Sequence, residues 1–147
     1  MKGFICSVCG FISIDGQVPE ACPACGASRS AFEEKEDAIK TPKDAANLSE
    51  LEKKHIPVIL LEKKCGLIPG GCTDVHVKIG EIQHPMTPEH RIDFIDFYID
   101  KKYVSRVKLT PEKLNPAACL HLKANGGRLT AVDSCNLHGS WINEVDL

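Results

Sequence analysis

Four of the eight cysteines fall within the first 25 residues, as Cys6-Ser7-Val8-Cys9-Gly10 and Cys22-Pro23-Ala24-Cys25-Gly26. Two residues between the members of each pair let one tight turn bring both sulfurs onto one ion. The glycine after each second cysteine permits the positive φ that closes such a turn. Two knuckles of this kind make a tetrahedral four-sulfur site, suited to zinc or to a single iron. A segment of about 30 residues cannot bury a self-sufficient core, so the metal supplies much of its folding energy. The pattern predicts a small metal domain over residues 1–36 with Cys6, Cys9, Cys22 and Cys25 as ligands.

The loop between the two pairs holds twelve residues, fewer than the roughly 15–20 of generic paired zinc knuckles. The segment CPACGASRSAFE, residues 22–33, resembles the second knuckle of rubredoxins. With its short loop, the stretch 3–35 is similar to the rubredoxin-like domain at the end of rubrerythrins. That resemblance implies iron and electron transfer, although the same four thiolates also bind zinc.

Beyond the knuckles the chain changes character. Residues 31–50, AFEEKEDAIKTPKDAANLSE, are charged and interrupted by Pro42, with little apolar surface to bury. They predict a linker, 37–50, with at most a helical turn or two. From residue 51 to 147 short strand patterns follow one another. Residues 56–61 are densely β-branched, Val75, Val77 and Ile79 alternate with His76 and Lys78, and IDFIDFYID at 92–100 is β-branched and aromatic. Residues 102–109, 119–123 and 129–133 continue the style, and Gly70-Gly71 and Asn125-Gly126-Gly127 supply turns. The fold predicted is mainly β: a knuckle domain followed by a small immunoglobulin-like antiparallel sandwich.

The formal net charge is −2, with no basic block, which argues against nucleic acid or a membrane surface as partner. No apolar leader or membrane-length apolar run occurs, so a cytoplasmic protein is expected. Cysteines in that compartment point to metal or redox chemistry before disulfides.

Of six histidines, His76 and His121 alternate against apolar neighbours and are predicted to be solvated surface residues. His55, His84, His90 and His138 sit at strand ends or in loops. His84-Pro85-Met86-Thr87-Pro88-Glu89-His90 fits neither one helix face nor one strand face, and its prolines stiffen the preceding residues. Cys135-Asn136-Leu137-His138-Gly139 has knuckle spacing but no second cysteine. Taken singly, each of these histidines is more often structural than ligating.

Taken together, KHIPVI at 54–59, GEIQHPMTPEH at 80–90 and CNLHG with Trp141 resemble the catalytic domain of superoxide reductases, the desulfoferrodoxin and neelaredoxin family. The resemblance covers residues 52–147. It implies a mononuclear non-haem iron held by His55, His84, His90, His138 and Cys135, with a sixth position open. It implies one-electron reduction of superoxide to hydrogen peroxide, with Lys54 drawing in the anion. It further implies a homodimer or homotetramer, and rubredoxin or another electron donor, with the four-cysteine site as a possible relay. The family's glutamate before that lysine is replaced by Lys53, and Glu52 stands one residue away.

Two other readings stay open at this point: a non-catalytic rubredoxin-type electron carrier, and a structural zinc-ribbon protein. Cys65, Cys72 and Cys119 are left over. Cys65 and Cys72 span a turn and could bridge by oxidation, and no metal role is expected for them.

Overall fold

The computed structural model describes residues 1–147. The knuckle domain is a three-stranded sheet, β1 (Gly3–Cys6), β2 (Ile12–Ser13) and β3 (Phe32–Lys35), in the order β2-β1-β3. A 3-10 turn at Arg29–Ala31 precedes β3. After β4 (Ile39–Lys40) and α1 (Glu50–His55) come seven strands: β5 (Pro57–Glu62), β6 (Thr73–Ile79), β7 (Ile92–Ile99), β8 (Lys102–Lys108), β9 (Ala117–Leu122), β10 (Arg128–Cys135) and β11 (Gly139–Asp146).

These strands form two facing sheets, β4-β11-β10-β7-β8 and β5-β6-β9. All pairings within them are antiparallel except β4 with β11. The predicted mainly β architecture, knuckle followed by sandwich, is the one observed. In β6 the alternation read from the sequence is the alternation of burial: Val75, Val77 and Ile79 point inward, His76 and Lys78 outward. These three pack on Ile92, Ile95, Phe97, Leu129 and Ala131 of the opposite sheet.

β7 and β10 are buried on both faces. Their second face carries Tyr98 and Val132, which join Phe11, Ile12, Cys22 and Ile39 in a second apolar cluster. Tyr98 Oη donates to Ile12 O at 2.7 Å, and its ring lies 6.0 Å from that of Phe11. The knuckle domain thus covers one face of the larger sheet. With both faces covered, apolar residues stand on each face, which is why IDFIDFYI shows no clean period.

Three elements differ from expectation. His55, predicted to open a strand, is the last residue of α1. β4 lies within the segment predicted as linker and exists through its parallel pairing of Ile39 with Ser140 and Lys40 with Trp141. β11 was absent from the predicted strands; Asn143 and Glu144 break the alternation of GSWINEVD, and its register with β10 supplies the structure.

Candidate metal centre

α1 is started by a capping box. Glu52 N donates to Ser49 Oγ at 3.3 Å, and Ser49 N donates to Glu52 Oε2 at 2.7 Å. The helix ends on His55, whose Nδ1–H donates to Leu51 O one turn back at 2.7 Å. A carbonyl can only accept, so the proton is on Nδ1 and Nε2 carries a lone pair. The chain between β6 and His84 turns at Gly80, with φ 82°. A Cβ there would lie 2.2 Å from Ile82 O and 2.6 Å from Lys54 O, so only glycine fits. Gly80 N donates to Ile56 O, and Ile82 N to Lys53 O, which ties this turn to the end of α1. His84 Nδ1–H donates to Pro85 O at 2.7 Å and again leaves Nε2 bare.

The loop from His84 to His90 closes on itself, with Thr87 N donating to His90 O and His90 N to Thr87 Oγ1. Asn136 joins it to the turn after β10: Arg91 N donates to Asn136 Oδ1 at 2.8 Å, and Asn136 Nδ2 to Glu89 O at 2.9 Å. Gly139, at φ 76°, then lets the chain reverse into β11.

The result is a four-cornered array of imidazoles. Ring centroids are 4.7 Å apart for His55–His84, 4.6 Å for His84–His90, 5.0 Å for His90–His138 and 4.8 Å for His138–His55, with 6.3 Å across the His55–His90 diagonal. His55 Nε2 lies 3.2 Å from His84 Nε2 and 3.2 Å from His138 Nδ1. Cys135 Sγ lies 3.6 Å from His138 Nδ1, and all five donor atoms fall within 4.8 Å of one another. Two bare Nε2 atoms facing at this distance repel unless a cation lies between them. His90 Nε2 is buried with no partner at all, which a shared cation also satisfies.

Electrostatics favour the same occupant. Burial, reinforced by the neighbouring imidazoles, lowers His55 and brings His84 down to about 4; burial also lowers His90. All three are neutral donors near pH 7, as a metal requires. Burial pushes the Cys135 thiol up, while backbone N–H groups of Leu137 and His138 on its sulfur act the other way. A bound cation converts that thiol to a thiolate. Four nitrogens and one thiolate fit a mononuclear iron.

Residues 47–144 match the family model for desulfoferrodoxin. The chain belongs to the desulfoferrodoxin family. Residues 4–33 match the rubredoxin-like domain of rubrerythrin. A superoxide reductase of Pyrococcus horikoshii is 38% identical over 105 residues, 64% of this chain and 87% of its own. The desulfoferrodoxin of Clostridium acetobutylicum is 34% identical over 94 residues, 64% of each chain. Among solved structures, the superoxide reductase of Treponema pallidum superposes with a TM-score of 0.59 at 25% identity, covering 97% of this chain and 98% of that one. A superoxide reductase (neelaredoxin) of Ignicoccus hospitalis reaches 0.60 at 28% identity, over 76% and 94%.

Around this centre, access is one-sided. His55 and His84 are 1% exposed and Cys135 4%, whereas His90 and His138 are half-buried. Trp141 stacks on His55, with centroids 5.1 Å apart. Lys54, half-buried on α1, bears on His90 and lowers its basicity. Lys40 was missed by sequence reasoning: its Nζ donates to His138 O at 2.7 Å and sits 5.4 Å from the Trp141 ring. It comes from β4, 98 residues away in sequence, and no local pattern signals it. Glu52 is committed elsewhere: besides Ser49 N, it accepts from Lys43 N at 2.9 Å. These bonds hold its carboxyl below the usual range.

The cysteine quartet of the knuckle domain is also assembled. Cys6 Sγ lies 3.8 Å from Cys25 Sγ and Cys9 Sγ 3.6 Å from Cys22 Sγ. Those edges suit a tetrahedron with bonds of about 2.3 Å. Gly10 and Gly26 take φ 73° and 80°, and their N–H groups donate to Cys6 O and Cys22 O. His76 and His121 are exposed, as expected.

Proposed function

We infer that this chain is a superoxide reductase, reducing superoxide by one electron to hydrogen peroxide at its histidine–cysteine centre. The observation that carries this reading is the convergence of His55, His84 and His90 Nε2, His138 Nδ1 and Cys135 Sγ, with lone pairs turned inward and one edge open. Those five residues would hold the iron. When bound, iron supplies the electron that superoxide takes up.

The protein's own groups do the rest. Lys54 stands at the accessible edge, beside His90, where a cation raises the local concentration of an anion. Lys40 adds a second positive charge behind His138. The Nδ1–H bonds of His55 and His84 to backbone carbonyls fix tautomer and ring orientation, so neither imidazole reorganises during turnover. The two N–H groups on Cys135 moderate how strongly its thiolate donates. Trp141 keeps water from the buried side. The two protons required for peroxide come from solvent at the open edge.

The knuckle domain serves as an electron entry point, filled by rubredoxin or another donor. Its position supports this. Gly10 lies against Phe94, Phe94 pairs with Ser134, and Ser134 precedes Cys135. Self-association as a dimer or tetramer is supported by the open face of β5-β6-β9, where Leu60 is 65% exposed. We assign the knuckle to 1–36, the connection to 37–50 and the sandwich to 51–147.

The test is an anaerobic pulse of superoxide onto the reduced iron protein. Peroxide without oxygen is expected, with loss of the reaction in His84→Ala. Oxygen released with peroxide would replace reduction by dismutation. No peroxide, with electrons still passing to an external acceptor, would leave only an electron carrier.

A further inference from the structure

We propose that Cys65, Cys72, Asp74 and His121 form a third metal site, one that takes a zinc ion in a structural role. The fold brings these residues together at one end of the β5–β6 hairpin. Cys65 follows β5, and Gly70 and Gly71, at φ 87° and 104°, turn the chain back so that Cys72 stands just before β6. Asp74 is on the outward face of β6, opposite the buried Val75. His121 on β9 is its direct cross-strand partner. Sequence alternation places His121 on the surface, and the structure agrees; what alternation cannot show is that the cysteine loop folds over it.

The distances suit one small ion. Cys65 Sγ and Cys72 Sγ lie 3.5 Å and 3.4 Å from His121 Nδ1. Asp74 Oδ1 lies 3.1 Å from Cys72 Sγ and 2.8 Å from His121 Nδ1. All four atoms fall within 4.8 Å of one another. A tetrahedron with bonds of about 2.0–2.3 Å has edges of about 3.3–3.8 Å, so the two sulfur–imidazole edges already fit and the Asp74 carboxylate must draw back from both Cys72 and His121. The side chain of Asp74 is 15% exposed and that of His121 40%, so the ligands are partly shielded but reachable.

Charge points the same way. Two thiols and a carboxylate converge here, and Lys63 and Lys64 do not pair with them. Burial, with Asp74 and Cys65 beside it, drives the Cys72 thiol up to about 12; a divalent cation reverses that cost. Two sulfurs, one imidazole and one carboxylate select zinc over calcium or magnesium, which want oxygen alone. Four protein ligands close the shell, so the site is structural and not catalytic. Its effect is to clamp residues 65–72, which expose Leu67 and Ile68, onto β9. β5 spans six residues between this site and the His55 end of the hairpin, about 20 Å, so the two sites can be loaded separately.

The full-length iron protein, purified under reducing conditions, is titrated with zinc against a competing chelator, beside Cys65→Ser/Cys72→Ser. The wild type is expected to bind one more zinc per chain than the double variant, with equal iron content and equal superoxide reduction. His121→Gln, which keeps both thiols, should weaken the extra zinc by more than about tenfold. Equal zinc stoichiometry in wild type and double variant would overturn the proposal. So would a wild type that, under the same conditions, lacks two titratable thiols because Cys65 and Cys72 are joined as a disulfide.

Discussion

Arg106 Nη1 donates to the carbonyl oxygen of Cys9 at 2.8 Å. The same guanidinium grips Asp96 through Nε at 2.6 Å and Nη2 at 2.7 Å, and lies over the Phe94 ring at 3.5 Å. One side chain of the sandwich therefore holds the backbone of a knuckle cysteine. Both members of the ion pair are buried, with 6% and 1% of their side chains exposed.

Arg106→Leu leaves the Asp96 carboxylate buried without its partner. Breaking a buried pair from one side costs about 3–5 kcal/mol, and denaturant unfolding of the iron protein should show a loss of that size. A loss under about 1 kcal/mol, the range of exposed pairs, would mean that Asp96 finds another partner.

Acid should empty the histidine centre. His84 titrates near 4 in the folded chain against the usual 6.5. Between those values the unfolded state binds the extra proton, so stability of the metal-free fold rises with pH there and is lost as pH falls. Iron competes with the proton for the same nitrogen, so iron release followed by absorbance is expected only as pH falls to about 4 and below. Complete loss of iron already at about pH 6 would contradict this reading.

Gly80→Ala tests the coupling of two ligands through one turn. The added methyl meets Ile82 O and Lys54 O, and the residue must hold φ 82°. Destabilisation beyond about 1 kcal/mol is expected, together with weakened iron binding, because His55 and His84 both hang on that turn. Full iron occupancy at wild-type stability would refute the coupling.

Lys54→Ala should lower the second-order rate with superoxide by roughly tenfold and flatten its dependence on ionic strength, as loss of a steering charge does. Lys40→Ala should have a smaller rate effect. It also removes a hydrogen bond to His138 O, so the visible spectrum of the iron should shift in Lys40→Ala and not in Lys54→Ala. Stopped-flow mixing at several salt concentrations reads both.

Much of this was legible in the sequence. The knuckle spacing of Cys6, Cys9, Cys22 and Cys25 is local, and local turns deliver it. Val75, Val77 and Ile79 announce their strand because one face is wet. His55 misled because the capping box of Ser49 and Glu52 was hidden inside a charged, proline-containing stretch. Lys40 and the gathering of Cys65, Cys72, Asp74 and His121 were not readable at all. Both depend on strand register, β4 against β11 and β6 against β9, which is settled by the whole core.

The parallel pairing of β4 with β11 limits how modular this protein can be. Ala38 and Ile39 are packed into the cluster under the larger sheet, and Lys40 reaches the histidine centre. A chimaera that exchanges the knuckle domain for another must therefore be spliced upstream of Ala38. Cut at Glu50, where the helix begins, the sandwich would lose an edge strand and with it one of the two cations that flank its reactive centre.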